Sequence, residues 1–185
     1  MLTIVGGPMF SGKTTWLIEY TKTLPKDSYR IFKPNIDTRY ATHAIVTHNG
    51  QSLPAHSIDH LKPSIPPLSK KIKTILIDEL NFFTFETIAP HIQKQLKLGR
   101  NIVGVGLFYD SYKQPFGSTL KLSKIAHCTE ELMSTCDNCG QKTARHSYRK
   151  IRTKKQIAIG AGESYGPSCD NCWNILAISS SKHIP

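Results

Sequence analysis

A glycine-rich segment near the start of the chain has the composition and spacing of a phosphate-binding loop. Its sequence matches G-x-x-x-x-G-K-[ST], with apolar residues before it and a helical pattern after it. The glycines allow backbone N–H groups to turn toward phosphate oxygens, and the N-terminus of a helix adds a favourable dipole. A glycine-rich turn without a ligand is the alternative. The candidate nucleotide-binding residues are Gly7, Pro8, Met9, Phe10, Ser11, Gly12, Lys13, Thr14 and Thr15.

Within this segment, two side chains have the chemistry to bind the phosphates and their metal ion. Lys13 would reach the β- and γ-phosphates, and the hydroxyl of Thr14 would help to hold Mg²⁺. The sequence therefore predicts ATP with Mg²⁺ as the cofactor of this loop.

Two consecutive carboxylates follow an apolar run, Thr74–Ile77, in the middle of the chain. Ligands of open α/β sheets collect at the carboxyl ends of the strands, so Asp78 is the candidate to support Mg²⁺, through water. Glu79 has two interpretations that the residues alone leave open. It is either a general base that accepts the proton of an attacking hydroxyl or water, or an acidic residue at the start of a helix.

Four of the five cysteines form two C-D-N-C segments late in the chain. Four thiolates complete a closed tetrahedral Zn²⁺ site with no open position for chemistry, so the predicted role is structural. Disulfides or a redox dithiol are the alternative. The fifth cysteine, Cys128, is unpaired in this scheme and is assigned no function. The predicted zinc ligands are Cys136, Cys139, Cys169 and Cys172.

The composition is that of a globular chain with one core. Of 185 residues, 39% are hydrophobic and 20% are charged. We see no secretory signal, and no apolar run approaches the ~18 residues that a membrane span needs. With the cysteine pattern, this favours a cytoplasmic protein without a membrane partner. The net charge of +11 attracts polyanions, and a solvated basic surface and a nucleic-acid patch both fit it.

Apolar runs alternate with helical patterns along the chain. Runs without polar alternation suit a parallel sheet that is covered on both faces. We expect a loop or irregular helix at His60–Ser69, and a hairpin turn at Asn49-Gly50. Pro90 would bend or split the second helix. The predicted strands are Leu2–Val5, Tyr29–Lys33, Ala44–His48, Gln51–Leu53, Thr74–Ile77 and Asn101–Leu107, and the predicted helices are Lys13–Lys22 and Phe83–Leu98.

Together these motifs resemble the zinc-containing, type II thymidine kinases over nearly the whole chain. Beyond the loop and the cysteines, the matching segments are Lys33–Tyr40 (K-P-N-I-D-T-R-Y), Thr47–Gly50, Ile77–Phe83 (I-D-E-L-N-F-F), Gly106–Leu107, Pro115–Phe116, Ile159–Gly160 and Tyr165–Cys169.

The resemblance implies an α/β fold, with a P-loop NTPase-like parallel sheet flanked by helices and a small C-terminal zinc-ribbon-like lobe. It divides the chain into a kinase domain (1–130), a zinc lobe with a loop that covers the nucleoside (131–178), and a tail (179–185). The implied reaction transfers the γ-phosphate of ATP to the 5′-hydroxyl of thymidine. The implied assembly is a homotetramer, sometimes a dimer, and no nucleic-acid partner is expected.

The resemblance also assigns roles to residues. It makes Glu79 the general base, and it places Arg39 at the sugar hydroxyl or the transferred charge, with Asp37 near the metal and sugar. Asn81 falls at a polar position near the Mg²⁺ waters. The implied nucleoside-binding positions are Met9, Phe82, Leu107, Ser111, Phe116, Ala158, Ile159, Gly160 and Tyr165.

This sequence departs from the family pattern at several positions. Asn81 replaces the usual Gln, Phe108 the usual Asp, and Ser111 the usual base-contacting Phe, for which Tyr112 is a possible substitute. Near His146 the family has a small residue or a hydroxyl at the pyrimidine 5-position. We therefore hypothesise a more polar 5-position pocket that accepts a 5-substituted or a different pyrimidine.

Two other functions remain open. The zinc knuckles and basic surface would suit a nucleic-acid-binding ATPase. The altered segment around Phe108 and Ser111 would suit a regulator that binds ATP without turnover.

Overall fold

In a computed structural model, residues 1–37, 43–47, 49–150 and 164–174 are described. The helices are α1 (Lys13–Thr21), α2 (Phe85–Lys97) and α3 (Thr119–Ser123), and a 3₁₀ turn spans Leu80–Phe82. The strands are β1 (Leu2–Gly6), β2 (Tyr29–Pro34), β3 (Ala44–Val46), β4 (Ser52–Pro54), β5 (His56–Ile58), β6 (Thr74–Ile77), β7 (Asn101–Gly106), β8 (Cys128–Glu131), β9 (His146–Arg149) and β10 (Tyr165–Ser168).

Six strands form one sheet in the order β5-β2-β6-β7-β1-β8. Each neighbouring pair in it runs parallel. Parallel strands all end at the same edge, so the loops that follow β1, β2 and β6 meet there. The predicted α/β fold with a parallel sheet is confirmed.

The sheet is buried because its strands carry apolar residues on both faces. All four residues of β6 are buried, and successive side chains point to opposite faces. Ile75 and Ile77 pack toward α2, whereas Leu76 packs toward α1. The α2 side contains Leu2, Ile4, Phe32, Ile58, Leu80, Phe83, Ile88, Ile92 and Ile102, and the α1 side contains Val5, Leu17, Ile18, Ile31, Ile45, Val103 and Val105.

Helix α2 is continuous although Pro90 lies inside it. The side chain of Thr84 caps its start by accepting a hydrogen bond from the N–H of Thr87. Proline removes the bond to the carbonyl four residues earlier, here that of Glu86. Both Pro90 and Glu86 are exposed, so water can satisfy this carbonyl. No helix within the described ranges is long and apolar enough to cross a bilayer.

The sequence patterns did not predict the two edge strands. β8 consists of four exposed residues without an apolar pattern, and β5 has only three residues. The predicted hairpin is confirmed, since β3 pairs antiparallel with β4. His48, the predicted end of its first strand, lies outside the described residues. The stretch 60–69 is irregular, as the loop prediction expected.

A small antiparallel hairpin, β9–β10, lies near the end of the described chain. Its neighbours include a separate cluster of buried residues around Cys136, Ala144 and Cys169. The division of the chain into domains at residues 130 and 178 stays a prediction.

The ring of Phe108 occupies the space that a side chain at Gly6 would fill. A Cβ on Gly6 would lie 2.1 Å from Cζ of Phe108, whose ring belongs to the core on the α2 side. The departure from the family's Asp at this position is therefore a packing change, because an aromatic ring covers the end of β1.

We expect Gly6→Ala to lower the free energy of unfolding by about 1–3 kcal/mol, because the new methyl group overpacks against Phe108. Urea unfolding of Gly6→Ala, Phe108→Leu and the double variant measures the effect. The smaller leucine should relieve the clash, so the loss in the double variant should be less than the sum of the single losses. Additive losses would show that the two residues do not compete for space.

Candidate active site

The loop between β1 and α1 encloses the ammonium group of Lys13. Its Nζ donates hydrogen bonds to the carbonyl oxygens of Gly7 (3.2 Å) and Pro8 (2.5 Å). Helix α1 begins at Lys13, so the N–H groups of its first turn face the same loop. Gly12 has a left-handed φ of 83°, and a Cβ there would meet no atom within 4 Å. The loop therefore presents positive charge and N–H donors toward open space.

Asp78 links this loop to the end of β6. Its Oδ2 accepts a hydrogen bond from the hydroxyl of Thr14 at 3.5 Å, and its Oδ1 accepts one from the backbone N–H of Glu79 at 2.9 Å. The side chain is buried. A hydroxyl and a carboxylate that already lie together are hard oxygen ligands of the kind that Mg²⁺ prefers.

Glu79 changes the direction of the chain directly after β6. Its φ of 51° is left-handed, which is uncommon for a residue with a Cβ and costs of order 1 kcal/mol. The turn starts the 3₁₀ segment and places Glu79 at the wall of the same cavity as Lys13. The predicted general base therefore lines the same cavity as the predicted phosphate-binding lysine.

One cavity of about 770 Å³, a volume that includes its open mouth, joins these groups. Four of its lining residues have no role predicted from the sequence: Lys33, Ile45, Val46 and Thr47. Lys33 and Thr47 fall in segments that matched the family pattern, which is the signal that pointed toward them. The lining consists of Met9, Phe10, Gly12, Lys13, Thr14, Thr15, Lys33, Asp37, Ile45, Val46, Thr47, Asp78, Glu79 and Leu107.

Some predicted nucleoside-binding residues lie outside this lining. The rings of Phe82 and Phe116 meet edge to face, with centroids 5.8 Å apart. The hydroxyl of Tyr165 accepts a hydrogen bond from the guanidinium of Arg149 at 2.8 Å. Ser111 has a buried Oγ without a hydrogen-bond partner among the residues that the structure describes. Their roles toward a nucleoside stay predictions.

Four other predicted residues fall outside the part of the chain that the structure describes. These are Arg39, Ala158, Ile159 and Gly160.

Asn81 is buried and holds a wall residue of the cavity in place. Its Oδ1 accepts a hydrogen bond from the backbone N–H of Leu107 at 2.9 Å. The predicted contact with the Mg²⁺ waters is not tested by this geometry. The observed bond makes Asn81 a support for the end of β7.

Strand β9 meets the phosphate-binding loop through a serine. The backbone N–H of Met9 donates to Oγ of Ser147 at 2.9 Å, and the Ser134 hydroxyl donates to the carbonyl of Phe10 at 3.0 Å. Because side chains alternate along a strand, His146 points away and contacts Asp170 at 2.7 Å. The hydroxyl beside Met9 therefore belongs to Ser147, the residue after His146.

The loop between β7 and α3 contacts the second cysteine knuckle. Nζ of Lys113 lies 3.4 Å from Oδ1 of Asp170 and 4.4 Å from the ring centre of Trp173. The hydrogen bond from His146 and the nearby Lys113 ammonium hold the pKa of Asp170 below its usual range. These contacts join two segments that carry predicted nucleoside-binding residues.

The four predicted zinc ligands meet in one cluster. Their sulfur atoms all lie within 4.8 Å of one another. Burial raises the pKa of Cys136, but backbone hydrogen bonds outweigh it and lower this pKa to about 6. A side-chain hydrogen bond with Cys169 raises the pKa of Cys172 to about 12. One sulfur is thus readily ionised, and four soft ligands at this spacing fit a tetrahedral zinc ion.

The chain is similar to known proteins along most of its length. The family model described as thymidine kinase matches residues 1–173. A thymidine kinase from Pseudothermotoga lettingae is 28% identical over 178 residues, which make up 95% of this chain and 96% of that protein. A thymidine kinase from Porphyromonas gingivalis is 31% identical over 172 residues, with coverages of 92% and 83%. The matched range contains the whole cavity lining and the four clustered cysteines.

We expect Cys139→Ser to reduce the bound zinc from about one ion per chain, because a hydroxyl is a poor substitute for a thiolate ligand. The amide of Met9 should then exchange its hydrogen faster, since Ser147 bonds to it from the neighbouring lobe. Metal analysis and hydrogen exchange measure the two effects.

Cys128→Ser is the matched control, because Cys128 is also exposed but lies outside the cluster. It should keep the zinc content and the exchange rate of the unmodified protein. Equal zinc content in the two variants would contradict the assignment of the site.

Proposed function

Because the chain belongs to the thymidine kinase family, we propose that it transfers the γ-phosphate of ATP to the 5′-hydroxyl of thymidine, forming dTMP. The observation that carries this proposal is the single cavity lined by both Glu79 and Lys13. A phosphate-binding group and a candidate base must face the same space for a hydroxyl to attack a bound phosphate.

The residues of this cavity supply the steps of the transfer. The loop from Gly7 to Gly12 and the Lys13 ammonium bind the phosphates of ATP. Thr14 and Asp78 would hold Mg²⁺, which neutralises charge on the phosphates when it is bound. Glu79 accepts the proton of the 5′-hydroxyl as that oxygen forms its bond to the γ-phosphorus and the bond to ADP breaks. Most of the acceleration comes from positioning and charge neutralisation.

The nucleoside lies against the apolar side of the cavity in this proposal. Met9 and Leu107 line it, and the predicted positions Phe82, Phe116 and Tyr165 would complete the base pocket when the nucleoside is bound. Arg39 and Asp37 are assigned to the sugar and the transferred charge, as the family pattern implies.

The zinc cluster has a structural role in this proposal. It would hold β9 and β10, and Ser147 connects β9 to Met9 of the phosphate-binding loop. We also propose a cytoplasmic location, where thiols stay reduced, and an assembly as a homotetramer or dimer.

We expect thymidine to stimulate ADP release from Mg-ATP, whereas a single-stranded oligonucleotide should not. The assay measures ADP with purified protein and a panel of thymidine, deoxyuridine, deoxycytidine and 5-hydroxymethyldeoxyuridine. Stimulation by the oligonucleotide alone would favour a nucleic-acid-dependent ATPase. ATP binding without stimulation by any member would favour a regulator.

The same panel tests the altered 5-position pocket. Ser111 replaces an aromatic residue of the family pattern, and within the described part of the chain its buried Oγ has no hydrogen-bond partner. A polar 5-substituent should therefore be tolerated. Efficient turnover of thymidine with rejection of 5-hydroxymethyldeoxyuridine would contradict this part of the proposal.

We expect Glu79→Gln to lower kcat by about 10²–10⁴-fold, because glutamine cannot accept the proton of the attacking hydroxyl. The apparent affinity for ATP should be nearly unchanged, since Lys13 and the loop remain. Steady-state kinetics and binding of a non-hydrolysable ATP analogue measure the two effects.

Glu130→Gln is the control, because it removes the same charge from the exposed edge strand β8. It should keep the kcat of the unmodified protein. Full activity of Glu79→Gln would show that another group accepts the proton.

A further inference from the structure

Lys33 is a buried cation at the wall of the cavity. It is only 2% exposed, although it is one of the cavity-lining residues. Its side chain leaves β2 on the same face as Ile31, two residues earlier, and so points toward α1 and the β3–β4 hairpin. The sequence motifs predict no role for this lysine.

The ammonium group of Lys33 contacts the side chain of Asp37, after β2, and the backbone of Ala44, at the start of β3. Nζ lies 3.5 Å from Oδ2 of Asp37, whose side chain is 7% exposed. Nζ also donates a hydrogen bond to the carbonyl oxygen of Ala44 at 3.4 Å. Asp37 directly precedes the segment 38–42, which contains Arg39, and Ala44 begins β3 soon after it. One side chain therefore contacts both the Asp37 carboxylate and the backbone at the start of β3.

The energetics of burial make these contacts specific. A buried ammonium group and a buried carboxylate each lose hydration, and the loss is offset only while the two stay paired in good geometry. Removing the Lys33 ammonium takes away a positive charge that lies 3.5 Å from the Asp37 carboxylate. The arrangement therefore favours one position of Asp37 and Ala44 over alternatives that separate them from Lys33.

The burial of Lys33 also separates its role from that of Lys13. Lys13 lies in the loop that faces open space, whereas Lys33 is almost fully covered and faces a carboxylate. Because the Lys33 ammonium is almost fully buried, it is better suited to orient neighbouring protein groups than to bind a phosphate directly.

We propose that Lys33 is a positioning residue for the phosphoryl transfer. It fixes Asp37 at the cavity wall and ties the end of β2 to the start of β3. This inference rests on the proposed function, because the effect of the positioning is read in the transfer of phosphate to the nucleoside.

The test compares Lys33→Met with Arg100→Met. Arg100 is also a buried cation, and it donates to Gln95 and to the carbonyl of Ile72. It directly precedes β7 and so lies where the strands begin, whereas the cavity lies where they end. Loss of the Arg100 side chain should therefore destabilise the protein without changing the site. Both variants are measured for unfolding midpoint, KM for ATP, and kcat and KM for thymidine at a temperature where they are folded.

We expect both variants to unfold at a lower temperature than the unmodified protein. Only Lys33→Met should lose about 10²-fold in kcat, because a small misplacement of reacting groups has an effect of this size. The KM for ATP should change little in either variant. Lys33→Arg keeps the charge and should recover part of the lost kcat. If Lys33→Met does not fold, Lys33→Gln is measured in its place with the same expectation.

Unchanged kcat in folded Lys33→Met or Lys33→Gln would overturn the inference, and so would an equal loss of kcat in Arg100→Met. Failure of the unmodified protein to phosphorylate any nucleoside would instead refute the proposed function. The control reaction with the unmodified protein thus separates the two failures.

Discussion

The parallel pairing of the six-stranded sheet is the constraint on which the site depends. Because the strands all run in one direction, the loop after β1 and the carboxylates after β6 reach the same edge. The hydrogen bond between Thr14 and Asp78 then joins two segments that are 64 residues apart in sequence. The cavity exists because these ends are held together by backbone bonds in the middle of the sheet, where the strands are buried on both faces.

The segments near the cysteine cluster also contact the loop that follows β1. Ser147 and Ser134 bond to consecutive residues of the phosphate-binding loop, Met9 and Phe10. Phe10 has a φ of 63°, so the loop is held in a conformation that a non-glycine residue adopts at a cost. The bonds from Ser147 and Ser134 offset that cost. A metal ion held by the cysteine cluster would support the shape of this loop through the strands that carry these serines.

The sequence predicted the parts of the site that depend on local chemistry. The loop, the strand before Asp78 and the cysteine pairs were each recognised from spacing, and the α/β fold and the family were confirmed. The contacts of Lys33 were not predicted, since they depend on how the β3–β4 hairpin packs against β2. Strand β8 was not predicted, because its four residues are exposed and carry no apolar pattern. The roles of the individual site residues stay predictions, because their chemistry is not tested by geometry.

The departures from the family pattern fall into two physical groups. Phe108 packs over Gly6, and Asn81 bonds to the backbone of Leu107, so each of these has a partner inside the protein. Nδ2 of Asn81 and Oγ of Ser111, in contrast, are buried and have no hydrogen-bond partner among the described residues. An unsatisfied buried hydroxyl is unfavourable unless something else supplies the hydrogen bond. Asp78 and Glu79 thus keep the family pattern at the cavity wall, whereas the departures at Asn81 and Ser111 each leave a buried polar atom available for another hydrogen bond.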